Sequence, residues 1–184
     1  PFDVSVEADA PNAFTVRWDI GGEVDSFEIE AVEVKKKTPL ESIMLSENFA
    51  NFMTEIGSED GKMDLSTYLN SYMQIKGWSG KRIYTSSVGA KIGNDTDSGH
   101  LMTPFNHSVA RNITIKITIQ SLEGTTAPTM VFLLNERNET VNSHTINNSC
   151  EKQSYVFTFP DIDEGYYAID IRGPAVLNIF FLYV

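Results

Sequence analysis

Apolar and polar side chains alternate with a period of two along much of this chain, a pattern typical of β-strands with one buried face. The clearest run is 113–120, where isoleucines form one face and Thr, Lys and Gln form the other. Tyr155, Phe157 and Phe159 form a second such face. Turns rich in Gly, Pro and Asn separate these runs. We therefore predict an all-β, antiparallel β-sandwich.

The strand prediction becomes dense after residue 81. The predicted strands are 82–85, 88–92, 100–103, 112–120, 129–134, 140–146, 153–159, 165–172 and 175–184. The stretch before them is mixed. We interpret 45–49 as a strand that leads into one helical turn, and Asp64 as the cap of a short helix. That helix would carry Leu65, Tyr68, Leu69 and Tyr72 on one face and end at Gly77.

The first 37 residues form a separate β segment in this prediction. Strands at 2–8, 13–19 and 26–34 are joined by short turns, and a Lys-rich run that ends at Pro39 marks a boundary. The predicted domains are therefore 1–37 and 40–184. Three strands enclose little apolar surface, so we expect the first segment to dock on the larger domain rather than fold alone.

Composition excludes several classes of function. With 25 acidic and 14 basic residues the chain carries a formal charge of −11, which repels nucleic acids and anionic membranes. The lone cysteine, Cys150, allows no intrachain disulfide. No apolar run approaches ~18 residues, so we predict no membrane insertion. Because the chain starts at Pro1 without a signal peptide, we expect it to be part of a longer protein.

An ordered set of motifs within 41–184 resembles a bacterial jelly-roll family, the galactose-binding-like or cleaved-adhesin type modules of surface proteins. The set comprises Leu45-Ser46-Glu47-Asn48-Phe49, Gly77-Trp78-Ser79-Gly80, Ile83-Tyr84, Ala90-Lys91-Ile92-Gly93 and Gly99-His100-Leu101-Met102-Thr103-Pro104. Residues 2–34 are similar to the first three strands of a fibronectin type III domain. The first resemblance implies a jelly-roll sandwich, and the second a truncated domain or an appendage.

The family resemblance implies an extracellular or cell-surface location, with lipoprotein anchoring as one form, and no catalysis. We therefore predict a secreted or surface binding module that takes part in carbohydrate binding or adhesion. The partner would be a glycan or a surface protein. The alternative is a structural spacer or protein-interaction domain of a larger secreted bacterial enzyme or lipoprotein.

Several residues are candidates for ligand binding. Trp78 suits stacking on a sugar ring, although a core tryptophan that anchors its loop is the alternative. Tyr84 has the same two interpretations. Tyr167 is a candidate because Tyr166 and Tyr167 are adjacent on a strand, so one of them should face outward. His100 and Asn94 are the expected polar contributors.

The metal ion that this chain is hypothesised to bind is calcium, and no other cofactor is expected. The resemblance places a calcium ligand at Glu47, but the last strand carries phenylalanines where relatives carry aspartates. Asp95 and Asp97 are a second possibility, within a loop that also suits an ordinary polar turn. The three histidines are too scattered for zinc. Residues 160–165 suit an acidic turn better than a glycosidase carboxylate pair.

Overall fold

The computed structural model describes residues 3–10, 13–19, 43–53, 62–94, 96–108, 112–122, 125, 127–174 and 176–184. The chain divides into two compact units, Pro1–Thr38 and Pro39–Val184. In the first unit, β1 pairs antiparallel with β2, as the sequence predicts. These strands are Asp3–Ala10 and Ala13–Asp19. The strand predicted at 26–34 lies outside the described residues. The docking of residues 1–37 stays a prediction.

The second unit consists of two antiparallel sheets. The first, called the β13 sheet here, has the order β11-β10-β13-β7-β4, and β8 also pairs with β13. The second, the β14 sheet, has the order β12-β9-β14-β6-β5, and β3 also pairs with β14. The strands are β3 (Ser46–Glu47), β4 (Ser79–Lys81), β5 (Ile83–Thr85), β6 (Ala90–Ile92), β7 (His100–Met102), β8 (Asn106–Ser108), β9 (Ile113–Ser121), β10 (Thr129–Asn135), β11 (Thr140–Ile146), β12 (Gln153–Phe159), β13 (Gly165–Arg172) and β14 (Leu177–Tyr183).

Alternating side chains from both sheets meet in one apolar core. The β14 sheet contributes the four isoleucines of β9, together with Leu177 and Ile179. The β13 sheet contributes alternate residues of β10 and β13, which are Val131, Leu133, Ile169 and Ile171. Because these side chains are buried, the intervening residues of each strand point away from the core. The prediction of an antiparallel jelly-roll sandwich is confirmed.

The helix predicted after Asp64 is not an α-helix. Turns and a 3-10 helix, Leu69–Ser71, occupy this stretch, and Tyr68 is exposed rather than on a buried face. The backbone bonds here, from Tyr68 N to Leu65 O and from Tyr72 N to Leu69 O, join residues three apart, whereas those of an α-helix join residues four apart. Partial burial acts to raise the pKa of the Asp64 carboxyl, but hydrogen bonds from the Ser66 hydroxyl and from the N–H groups of Ser66 and Ile83 lower it overall. None of the helical segments in the described ranges has the length and apolar character of a membrane span.

Two short strands, β4 and β8, were not predicted. The sequence at β4 looks like a turn because Gly80 interrupts it. The glycine is required by packing, because a Cβ at this position would lie 2.6 Å from the carbonyl oxygen of His100 on β7. After β4 the chain crosses to the other sheet at Arg82, whose φ of 59° is left-handed. This crossing places the Arg82 side chain at the edge of the sandwich.

We expect Ile117→Ala to lower the free energy of unfolding by about 2–5 kcal/mol, because Ile117 is fully buried and its truncation leaves a cavity. Val156→Ala is the matched control on the neighbouring strand, where the side chain is exposed, and should change stability by about 0.5 kcal/mol or less. Urea denaturation measures both. Equal losses would contradict the assignment of the two faces.

Candidate functional site

The three aromatic candidates for ligand binding are all buried. The exposed fractions are 3% for Trp78, 7% for Tyr84 and 8% for Tyr167. The Trp78 ring packs edge-on against Phe49, with 5.9 Å between centroids. Trp78 is therefore a core residue, the alternative weighed from the sequence, and presents no ring face to a sugar. The same burial removes the stacking role from Tyr84 and Tyr167.

Asn94 closes a turn. Its Oδ1 accepts the backbone N–H groups of Thr96 and Asp97, at 3.1 and 2.8 Å. Its Nδ2 lies 3.5 Å from the hydroxyl of Tyr84. The amide therefore organises the loop between β6 and β7, which fits the polar-turn interpretation. A direct contact between Asn94 and a ligand stays a prediction.

Tyr167 and Tyr166 lie on opposite faces of β13, as their adjacency predicts. The Tyr167 hydroxyl donates a hydrogen bond of 2.8 Å to the carbonyl oxygen of Asp163. Burial raises the pKa of this phenol, and the charge of Asp163 raises it further. Tyr166 is exposed, and its ring meets His107 edge-on at 4.9 Å. The outward tyrosine is therefore Tyr166.

His100 belongs to a charge network around a buried carboxylate. Asp170 is only 3% exposed. One oxygen accepts a 2.8 Å hydrogen bond from Arg172 Nε, and the other lies 3.2 Å from His100 Nδ1. A buried carboxylate is costly unless it is paired and hydrogen-bonded. Asp170 therefore fixes the orientation of both basic side chains.

Strand register places Lys81, His100 and Arg172 in one row. Lys81 is opposite His100, and His100 is opposite Arg172, on the adjacent strands β4, β7 and β13. Neighbouring strands are about 4.8 Å apart, so the row spans about 10 Å of the sheet. The Arg172 guanidinium also lies over the Phe132 ring, 4.4 Å from its centroid. This contact holds the arginine against the sheet surface.

The row forms one side of a cleft, called the Arg172 cleft here. It is lined by Lys81, Arg82, Ser98, Gly99, His100, Arg172 and Gly173. Its volume is about 320 Å³, near the lower end of the range for small-molecule sites. Three separate chain segments contribute to it: the β4–β5 crossing, the β6–β7 loop and the end of β13.

Hydrogen bonds join these three segments. Gly173 N donates to Gly99 O at 3.2 Å, and Gly93 N donates to Arg82 O at 2.8 Å. Arg82 Nη1 donates to Ser98 O at 2.9 Å. Gly99 itself has no room for a side chain, because a Cβ would lie 2.7 Å from Lys81 O. Backbone hydrogen bonds and tight packing at Gly99 therefore hold the three segments of the cleft together.

Positive charge is concentrated at the cleft. Lys81, Arg82 and Arg172 line it, while the chain as a whole carries a formal charge of −11. Two described carboxylates lie beside these cations, Asp170 under Arg172 and Asp97, whose Oδ1 is 3.6 Å from Arg82 Nη2. The described groups thus carry a small positive excess on an otherwise acidic protein.

The described residues do not assemble a calcium site. No group of three or more His, Cys, Asp and Glu side chains within these ranges is arranged to hold a metal ion. Both oxygens of the buried Glu47 accept backbone N–H groups, from Phe49 and Gln74. Asp97 faces a guanidinium, and the side chain of Asp95 lies outside the described residues. Calcium binding stays a prediction.

Sequence reasoning identified His100 but missed the basic residues around it. One signal was present, because Lys81-Arg82 follows Gly80 and Arg172 precedes Gly173 in a chain that is otherwise acidic. The sequence could not show that these segments meet, because β4, β7 and β13 are far apart along the chain. Asp170 was also missed, since it reads as one more polar residue of an alternating strand.

No protein-family model matches this chain, and no curated protein matches it. Solved structures with a similar arrangement include several carbohydrate-binding modules. One is the CBM36-1 domain of a multidomain xylanase from the hindgut metagenome of Trinervitermes trinervoides, with a TM-score of 0.36, 15% identity, and coverage of 77% of this chain and 94% of that one. Another is the carbohydrate-binding module CBM36 in complex with calcium and xylotriose, with a TM-score of 0.32, 15% identity, and coverage of 52% and 80%.

A third similar structure is a whole enzyme, the isomalto-dextranase of Arthrobacter globiformis T6 complexed with panose. The TM-score is 0.41 at 13% identity, over 58% of this chain. This chain spans about a fifth of that enzyme, 21% of its length. TM-scores below 0.5 mean that the superpositions are partial, so the ligands of these proteins do not transfer to this chain.

Asp170→Asn should lower the free energy of unfolding by about 1–3 kcal/mol, because the amide keeps the shape but loses two charge-assisted contacts to Arg172 and His100. Asp161→Asn is the control. Asp161 is exposed in a turn with a φ of 55°, a conformation that Asn adopts as readily. Chemical denaturation of both variants is the measurement. If both variants match the wild type, Asp170 does not support this part of the sheet.

Proposed function

We propose that this chain is a non-catalytic carbohydrate-binding module that holds its glycan at the Arg172 cleft. The observation that carries the proposal is the row of Lys81, His100 and Arg172, in which the buried Asp170 holds His100 and Arg172. Sugars present many hydroxyl groups, and recognition requires hydrogen-bonding side chains held in place before the ligand arrives. The row supplies such side chains on a rigid sheet.

The outer face of the β13 sheet extends this surface. Strand register places Phe132 beside Asp170, and Met102 lies on the other side of Asp170. Phe132 and Met102 are partly exposed, so they provide apolar contact next to the polar row. A sugar ring has both polar edges and an apolar face, and this surface offers partners for each. Phe132 therefore contributes apolar surface beside the row, although the Arg172 guanidinium covers its ring.

The arrangement suits binding better than hydrolysis. A glycosidase uses two carboxyl groups that face the scissile bond. Here Asp170 is buried and bonded to Arg172, and Asp97 is paired with Arg82. Neither of these carboxylates is directed at a ligand in the cleft. The site can orient a glycan and hold it, and its basic groups contact the ligand directly.

A glycan-binding role agrees with the extracellular or cell-surface location expected from the sequence. In that setting the module would attach a larger protein to a polysaccharide or to another cell, which includes the adhesion function. The spacer or protein-interaction role remains the alternative. The exposed valines of the edge strands, Val141 and Val156, favour that alternative as a protein contact.

Affinity electrophoresis against soluble neutral and acidic polysaccharides tests the proposal. We expect retention by at least one of them, with Lys81→Ala and His100→Ala each weakening binding about tenfold through the loss of one hydrogen bond to the ligand. Lys116→Ala is the matched control. It removes one charge from an exposed position on β9, in the opposite sheet.

Two outcomes would contradict the proposal. If no polysaccharide retards the protein, the spacer role becomes the better account. If a polysaccharide binds but Lys116→Ala weakens it as much as Lys81→Ala does, the glycan does not lie at the Arg172 cleft.

A further inference from the structure

We infer that the Arg172 cleft selects anionic sugars, with carboxylate or sulfate groups held by Arg172 at one end of the row and by Lys81 at the other. This inference rests on the proposed glycan-binding function and narrows its ligand class. The shared chemistry is a negatively charged oxygen group on a sugar ring. Uronic acids and sulfate esters both carry such a group.

The guanidinium of Arg172 is oriented for an anion. Its Nε donates to Asp170, and its Cζ lies over the Phe132 ring, 4.4 Å from the ring centroid. Within the described part of the chain, neither Nη group has a hydrogen-bond acceptor, and 54% of the side chain is exposed. A guanidinium edge with two N–H groups matches a carboxylate in a two-pronged hydrogen bond. Asp170 and Phe132 thus leave this edge available to a ligand.

Lys81 provides a second cation at the opposite end of the row. It is exposed on β4, with His100 between it and Arg172. No described carboxylate lies within salt-bridge distance of its ammonium group. His100 directs Nδ1 toward Asp170, so the other ring nitrogen, Nε2, is the atom left for a ligand hydroxyl or anion. The row therefore consists of two cationic side chains, Lys81 and Arg172, with the imidazole of His100 between them.

The acidic character of the whole protein does not prevent this selectivity. At physiological salt, charges more than about 8 Å apart are largely screened from one another. An anionic group in the cleft is therefore governed by the nearby cations, Lys81, Arg82 and Arg172, more than by distant carboxylates. The two described carboxylates at the site, Asp97 and Asp170, are already engaged by arginines. A neutral sugar would leave the open Nη edge of Arg172 without a charged partner.

Glycan pairs that share a backbone but differ in charge provide the test. The pairs are polygalacturonate with its methyl ester, and dextran sulfate with dextran, each measured without EDTA and with EDTA, which removes calcium bridges. We expect the protein to bind a charged member of a pair and to bind the uncharged partner at least about tenfold more weakly. The difference is the effect of losing a charge-assisted contact. Added salt should weaken binding further. The first pair reports on carboxylates and the second on sulfates.

Variants locate the effect at the cleft. Arg172→Gln and Lys81→Gln should each weaken binding of the charged glycan about tenfold or more. Arg137→Gln and Lys116→Gln remove the same charges from exposed positions outside the cleft and should leave binding unchanged. Lys81→Gln removes no described contact, so it remains informative if Arg172→Gln destabilises the fold. Thermal unfolding checks that each variant is folded.

The outcomes separate this inference from the proposed function. Equal binding of charged and uncharged members would overturn anion selectivity while leaving glycan binding intact. Binding that disappears with EDTA would overturn it as well, because a calcium bridge rather than a guanidinium would then hold the ligand. Absence of binding to every glycan, neutral polysaccharides included, would overturn both.

Discussion

The period-two alternation of side chains determines both the core and the surface of this domain. On β13, Ile169 and Ile171 point inward and help to close the two sheets over one apolar core. The residues between and beside them, Asp170 and Arg172, point to the outer face of the same strand. A shift of one residue in the register would exchange these two sets. The packing that makes the sandwich stable therefore also places the charged row.

Asp170 links this packing to the chemistry of the cleft. Removing one charged partner of a buried carboxylate strongly destabilises a protein, because the remaining buried charge is then uncompensated. The fold supplies two partners, Arg172 from the same strand and His100 from the neighbouring strand β7. The stacking of Arg172 on Phe132 adds a third element, from β10. His100 and Arg172 are therefore held in place before a ligand arrives, so binding restricts little further motion of these two side chains.

Local patterns predicted most of the fold. Strands β9 to β13 match the predicted ranges within one or two residues, since each carries a long alternating run with clear turns around it. Short strands were harder. β4 was missed because Gly80, which its packing against β7 requires, has the appearance of a turn residue. The helix predicted after Asp64 is replaced by turns and the 3-10 helix Leu69–Ser71. Asp64 does accept the N–H of Ser66, as a cap would, but the backbone bonds that follow join residues three apart rather than four.

The candidate site was less accessible from sequence. Large aromatic residues suggested stacking platforms, but Trp78, Tyr84 and Tyr167 are buried, as large rings in a small sandwich often are. His100 was identified, whereas the residues that give it a role come from strands distant in sequence.

The measurement that decides the account is a titration of the isotopically labelled domain with a retained glycan, followed by amide chemical shifts. Changes confined to Lys81, His100, Arg172 and their neighbours are expected. Changes centred on the outer face of the β14 sheet, around Lys116, would contradict the assignment of the binding surface.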